Sequence, residues 1–227
     1  MDDKKLASGV ATAGRFGGYP SVPADFEWTV KPFNHEFVAS IDCAALPSDL
    51  PGLPLPAEGS LLFFGSKQEE YTDPMDARQG RVLYVPAGTP TEERPPPTDP
   101  DWEDHYSEPF PMYYTRHWAF PDSSDAVIMC NDEYYQTYDQ YDLESVSFAD
   151  EGDFALGGYC EPVQNEVSDV LTSTKHLGRT DWRLLAEWHA KLPPNEDLGL
   201  SYWAVPQADL EAGRFDRVGM CREIWHL

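Results

Sequence analysis

The chain carries the same glycine-rich turn twice. Gly17-Gly18-Tyr19 stands in RFGGYPSVP, Arg15 to Pro23, and Gly157-Gly158-Tyr159 stands in ALGGYCEPV, Ala155 to Val163. In both cases a glycine 42 residues after the first of the pair opens an aromatic run: Gly59 in GSLLFF and Gly199 in GLSYWA. FVASID lies between in the first half and LLAEWH in the second, with LPLPAEG and LPPNEDLG just before each final run. Paired glycines let the backbone turn through positive φ without a Cβ clash, and the tyrosine can cover the turn. The recurring order of turn, strand, Pro-acid connector and aromatic strand predicts an internal duplication. It divides a single domain, 1–227, into a first strand-rich repeat at 15–86 and a second at 155–227. A phosphate-cradling loop would place a helix after such glycines. GGYPSVP places prolines there, which argues against nucleotide binding.

The fold class that follows is α+β, rich in strands, with a few short helices. Twenty-one prolines and 16 glycines in 227 residues mean many turns and few long helices. FEWTVKPF, EFVASIDCA, SLLFFG (Ser60 to Gly65) and RVLYVP (Arg81 to Pro86) read as strands of the first half. An extended EFVASIDCA sets Phe37, Ala39 and Ile41 on one side. In the last quarter DWRLLAEWHA and GLSYWAVP are apolar runs, QADLEAGRF a short helix and RVGMCREIWHL a closing strand.

The middle, 87–154, differs. Ala87 to Pro111 holds a triple proline and seven acids, the composition of a surface loop and not of a core. A helix is predicted over about Ser124 to Glu144, capped by Ser123 or Ser124 with Asp125 in its first turn. Val127, Tyr134, Tyr138 and Tyr141 fall near one face, and Asp132, Glu133, Asp139 and Asp142 take others. A tyrosine stripe is either core packing or a contact surface of large, rigid area.

Charge narrows the possible partners. Sixteen Lys and Arg against 40 Asp and Glu give a formal net charge of −24. From Trp118 to Thr174 there is no Lys or Arg, while thirteen carboxylates accumulate between Asp122 and Asp169. Such a field opposes nucleic acid and anionic membrane, whose partners supply cations to phosphates, and speeds encounter with a basic protein. It also keeps a protein monodisperse without recognising anything. No run has the length of a membrane-spanning helix, and the N-terminus lacks the apolar segment of a signal peptide. The expected setting is cytoplasmic.

The chemistry-bearing residues form no catalytic or metal signature. Cys43, Cys130, Cys160 and Cys221 sit too far apart for paired zinc ligation and read as reduced thiols, so no metal or cofactor is expected. There is no Gly-x-Ser-x-Gly elbow, His-Glu-x-x-His, P-loop or deaminase motif. DEYYQTYDQYDLE lacks the central glycine of a calcium loop. His35 beside Glu36, and His189 near Glu187, are candidate acid–base pairs, with packed or exposed histidines the simpler reading. Asp42 ends an apolar strand, where it either faces a cleft or caps the turn that follows.

GGYPSVPADFEW, FVASIDCAALP, LPAEGSLLFFG, LGGYCEPVQNEV and YWAVPQADLEAGRFDRV together resemble the YwqG-like family, a bacterial domain family without an established biochemical role. The resemblance spans nearly the whole chain except the acidic insert and the tyrosine-rich helix. It implies an α+β fold rich in strands and supplies no catalytic residues. Some relatives are encoded near toxin and immunity genes, which suggests an interaction role. Ser40 and Glu187 stand where the family usually has glutamines, Gln164 is retained, and Asp42 keeps the family's usual aspartate.

Two functions follow as expectations. One is a non-enzymatic partner of a basic protein, immunity-type or regulatory, using Asp132, Glu133, Tyr138, Asp139 and Asp142. The other is an enzyme with a cleft at the seam between the halves, using Asp42 and Gln164.

Overall fold

The structure is a computed structural model that describes residues 12–29, 34–50, 52–65, 78–98, 108–116, 154–158, 182–192 and 197–225. Among the described residues it is strand-rich, with eleven strands in three sheets and one short helix. The first sheet joins β1 (Gly14–Phe16), β3 (Glu36–Asp42), β4 (Ser60–Gly65), β5 (Gly80–Val85) and β7 (Phe110–Met112) in the order β5-β4-β3-β1-β7. The second joins β8 (Phe154–Leu156), β9 (Trp182–Leu192), β10 (Asp197–Pro206) and β11 (Gly219–Trp225) in the order β11-β10-β9-β8. All neighbours within the two sheets are antiparallel. A ribbon of β2 (Ser21–Val22) and β6 (Glu92–Glu93) completes the set.

The two sheets share more than their order. The glycine pairs that follow β1 and β8 all take positive φ: 69° and 71° at Gly17 and Gly18, 66° and 83° at Gly157 and Gly158. Gly17 N–H donates to the Val38 carbonyl at 2.9 Å, and Gly157 N–H to that of Leu185 at 3.1 Å. Val38 and Leu185 are each the extra residue of a β-bulge, and each precedes an alanine. Ala39 then pairs with Phe63, and Ala186 with Trp203.

The bulge corrects the expected face of β3. Ala39 and Ile41 belong to the core between the sheets, but Phe37 lies in the cluster on the other side of the first sheet. An inserted residue reverses the alternation that the sequence alone implies.

Between the sheets the core is aromatic. Phe63 meets Trp203 at 5.5 Å and Phe154 at 4.9 Å between ring centroids, both edge-on, and Phe16 meets Trp188 at 5.2 Å. The Trp203 Nε1–H donates across the sandwich to the buried Phe64 carbonyl at 3.0 Å, so the ring is satisfied as well as packed. Leu61, Leu185 and Val205, all fully buried, extend the same core.

FEWTVKPF does not form the expected strand in its described part: 26–29 is irregular, and 30–33 lie outside the described residues. Phe26 and Trp28 cover the outer face of the first sheet instead. Phe26 and Trp28 pack on Phe64, and the Arg81 guanidinium lies 4.8 Å from the Phe26 ring centroid and 5.3 Å from that of Phe64. The stretch from Ala87 to Pro111 is not wholly surface loop, since β6 lies within it and β7 begins in it.

The short helix, α1 (Gln207–Glu211), forms where QADLEAGRF predicts it. Gly213 takes φ 66° just past its end, with Gly213 N–H on the Leu210 carbonyl at 3.0 Å and Arg214 N–H on that of Asp209 at 2.8 Å, the Schellman arrangement. The buried Asp209 carboxylate accepts a hydrogen bond from Arg214 Nε at 2.9 Å and forms an ion pair with Arg217, whose Nη1 lies 2.8 Å away, which holds the corner.

Cys43 and Cys221 are buried thiols outside any disulfide. Burial first, then the neighbouring Asp42 carboxylate, pushes the Cys43 thiol from 9.0 up to about 11. Iodoacetamide at pH 8 is therefore expected to leave Cys43 unmodified in the native chain and to alkylate it after denaturation, as read by peptide mapping. Because the folded state keeps a proton that the unfolded thiol releases, the contribution to stability is complete below about pH 9 and is lost as pH rises to about 11. The denaturation midpoint should fall over that interval, and less steeply in Cys43→Ala.

Candidate functional site

A cavity of about 360 Å³ opens on the outer face of the first sheet, the face turned away from the second sheet. Its floor follows from strand register. Arg15 of β1 stands opposite Ser40 of β3, which stands opposite Leu62 of β4, and Ser60 stands opposite Val85 in the adjacent row. Alternation sends these side chains to the same face. The wall is the 86–91 loop together with Ser21 of β2.

The backbone holds that wall in place. Gly59, at φ 88°, lies so close to β5 that a Cβ would fall 2.6 Å from the Val85 carbonyl oxygen. Thr89 N–H closes a turn on the Pro86 carbonyl at 3.2 Å. Beyond the loop, β6 pairs with β2, and Arg94 locks the ribbon from its backbone N–H to the Pro20 carbonyl at 3.0 Å and from Nη1 to the Phe26 carbonyl at 2.9 Å.

Arg15 is the cation of the lining. Its Nη1 lies 3.3 Å from Glu93 Oε1, its Nη2 donates to the Tyr19 carbonyl, and the guanidinium carbon is 5.7 Å from the Phe37 ring centroid. The Arg15 side chain is 30% exposed and that of Glu93 58%. The remaining polar groups are the hydroxyls of Ser21, Ser40, Ser60, Thr89 and Thr91. These donate and accept hydrogen bonds, so the lining is chemically suited to holding an oxygen-rich ligand.

Asp42 is exposed beside this cavity and outside its lining. Its carboxylate accepts the Ala44 N–H at 3.0 Å and caps a 3-10 turn, Cys43–Ala45. Of the two alternatives for Asp42, the structure shows capping. Gln164, Asp132, Glu133, Tyr138, Asp139 and Asp142, and the predicted helix with them, lie outside the described residues.

His189 Nε2 and Glu187 Oε1 are in hydrogen-bond contact, two residues apart on β9 and both mostly buried. Glu187 follows Ala186 as Ser40 follows Ala39, so the two occupy matching places on the outer faces of the two sheets. His35 Nε2–H donates to the Arg78 carbonyl at 2.7 Å, a structural bond. Among the described residues, no group of three or more His, Cys, Asp or Glu is placed to hold a metal ion, and no helix is long and apolar enough to cross a membrane.

Sequence reading missed Arg15, Ser21, Ser60, Thr89 and Thr91 as a group, because hydroxyl residues scattered from 21 to 91 converge only through register. The one available signal was Ser40, a small residue where the resembling family usually has a glutamine.

The charge is unevenly divided along the chain as well. Outside Trp118 to Thr174 the chain carries 27 of its 40 acids and all 16 of its Lys and Arg.

A family model described as a domain of unknown function, DUF1963, matches residues 14–222. No curated protein matches the chain at a significant level.

Proposed function

The chain belongs to the DUF1963 family of domains of unknown function, and on that premise we propose that it is a non-enzymatic protein-binding domain that engages a basic protein, as an immunity-type or regulatory partner. The observation that carries this reading is charge segregation. Thirteen carboxylates lie between Trp118 and Thr174 without a Lys or Arg, against 27 acids and 16 bases in the rest of the chain. Charge spread for solubility alone has no reason to concentrate in this way. Such a contact gains on-rate from the long-range field and weakens as salt shortens the Debye length.

A matching arrangement in both sheets supports reading 15–86 and 155–227 as two copies of one unit. The strand order, glycine pair, bulge and alanine recur in each. The enzyme reading, with a cleft at the seam, gains nothing from the inner faces, which Phe63, Phe154 and Trp203 fill. Two buried thiols outside any disulfide fit a reducing, cytoplasmic setting.

The test is a low-salt pulldown from the host, eluted with a salt ramp, with wild type beside a variant carrying Asp132→Asn, Glu133→Gln, Asp139→Asn and Asp142→Asn. A basic protein released by moderate salt, and retained about tenfold less by the variant, is the expected result. Equal retention by a variant with unchanged circular dichroism would count against the proposal.

A further inference from the structure

The cavity on the outer face of the first sheet points to a second kind of ligand, independent of the basic-protein reading. We propose that it binds a small polyhydroxylated monocarboxylate, a sugar acid in chemical class, with Arg15 taking the carboxylate in place of Glu93.

Size sets the first limit. At about 360 Å³ the cavity lies at the small end of the roughly 300–1,000 Å³ range of small-molecule sites, which suits a monosaccharide-sized ligand and not a nucleotide. Its volume comes from small side chains. The positions of the second sheet that match Ser40 and Ser60, both half-buried, hold Glu187 and Leu200, both buried, so larger side chains stand there where the first sheet has serines.

Charge sets the second limit. One guanidinium lines the cavity; of the two acids on the adjoining β6, Glu93 pairs with it and Glu92 pairs with Arg94 at 2.6 Å, and the exposed Asp42 stands beside the cavity. A phosphate dianion would bring two charges to that single cation, whereas a monoanion is matched by Arg15 alone. Glu93 already shows what that position accepts. Its carboxylate touches Arg15 through one contact, 3.3 Å long, from a side chain more than half exposed. An exposed pair of that kind contributes little and is readily exchanged. A ligand carboxylate arriving from the cavity can take two parallel N–H groups along one edge of the guanidinium, the planar geometry that arginine favours, while Nη2 keeps its bond to the Tyr19 carbonyl.

The hydroxyls set the third. Ser21, Ser40, Ser60, Thr89 and Thr91 offer donors and acceptors around an apolar floor of Leu62 and Val85. That lining suits a ligand with several hydroxyl groups along a short carbon frame.

The test is isothermal titration calorimetry of the full chain with gluconate, glucuronate, glucose and inorganic phosphate. Saturable binding of gluconate or glucuronate is expected, with glucose and phosphate at least tenfold weaker. Ser40→Leu fills the cavity beside Arg15 and should abolish the signal. Glu93→Gln removes the competing charge and should tighten binding several-fold. Native tryptophan fluorescence verifies folding of each variant. The proposal is overturned if neither acid binds, if glucose or phosphate binds as well as the acids, if folded Ser40→Leu retains wild-type affinity, or if Glu93→Gln weakens binding.

Discussion

Trp203→Ala is expected to remove most of the stability of the domain. The ring is fully buried, stands edge-on to Phe63 at 5.5 Å, lies 5.9 Å from Phe154, and donates its N–H to the Phe64 carbonyl. Truncating a buried aromatic residue costs about 3–5 kcal/mol, and the unpaired carbonyl adds about 1–3 kcal/mol. Small domains hold only about 5–15 kcal/mol in total. Urea unfolding followed by far-ultraviolet circular dichroism should show the midpoint falling sharply, or a chain unfolded in buffer. Trp203→Phe keeps most of the packing and loses the hydrogen bond, so its loss should be smaller. A loss under about 1 kcal/mol for the alanine variant would mean that this ring does not join the two sheets.

Gly14→Ala should be nearly as damaging, for a different reason. A Cβ at Gly14 would fall 2.1 Å from the Ser40 carbonyl oxygen and 3.1 Å from the Ile41 Cα, both backbone atoms with no freedom to swing aside. β1 would have to move off β3, and β7, which among the described residues pairs with β1 alone, would go with it. Overpacking of this kind costs about 1–3 kcal/mol, and loss of a strand pairing places this case at the upper end or above. Gly88→Ala is the control. Gly88 has φ 77° with nothing within 4 Å of its added Cβ, so only the left-handed backbone penalty of about 1–2 kcal/mol applies. Comparable losses at the two positions in thermal unfolding would refute the steric argument.

The parts of the fold that were legible in sequence share a physical cause. Ser60–Gly65 is a continuous apolar run between a positive-φ glycine and a polar stretch, and β4 has those bounds. The glycine turns were legible because few residues tolerate their backbone. The face of Phe37 was not legible, since a bulge is a property of two paired strands and leaves no mark in one. FEWT has the composition of a strand, but its aromatic side chains serve as a cover for Phe64. The acids of β6 hid a strand whose pairing with β2 is decided by the backbone. The cavity was least legible of all, because serine and threonine acquire meaning only once the sheet has set them side by side.

The position of β1 bears on how the chain is made. On one side it pairs with β3, which follows soon after it, and on the other with β7 at residues 110–112. A ribosome releases the first sheet in the sequence β1, β3, β4, β5, and the outer edge of β1 stays open until β7 emerges. Closing so long a loop is slow compared with pairing successive hairpins. During that interval a growing chain exposes the unpaired backbone of Gly14–Phe16, a short edge open to capture by a neighbouring nascent copy.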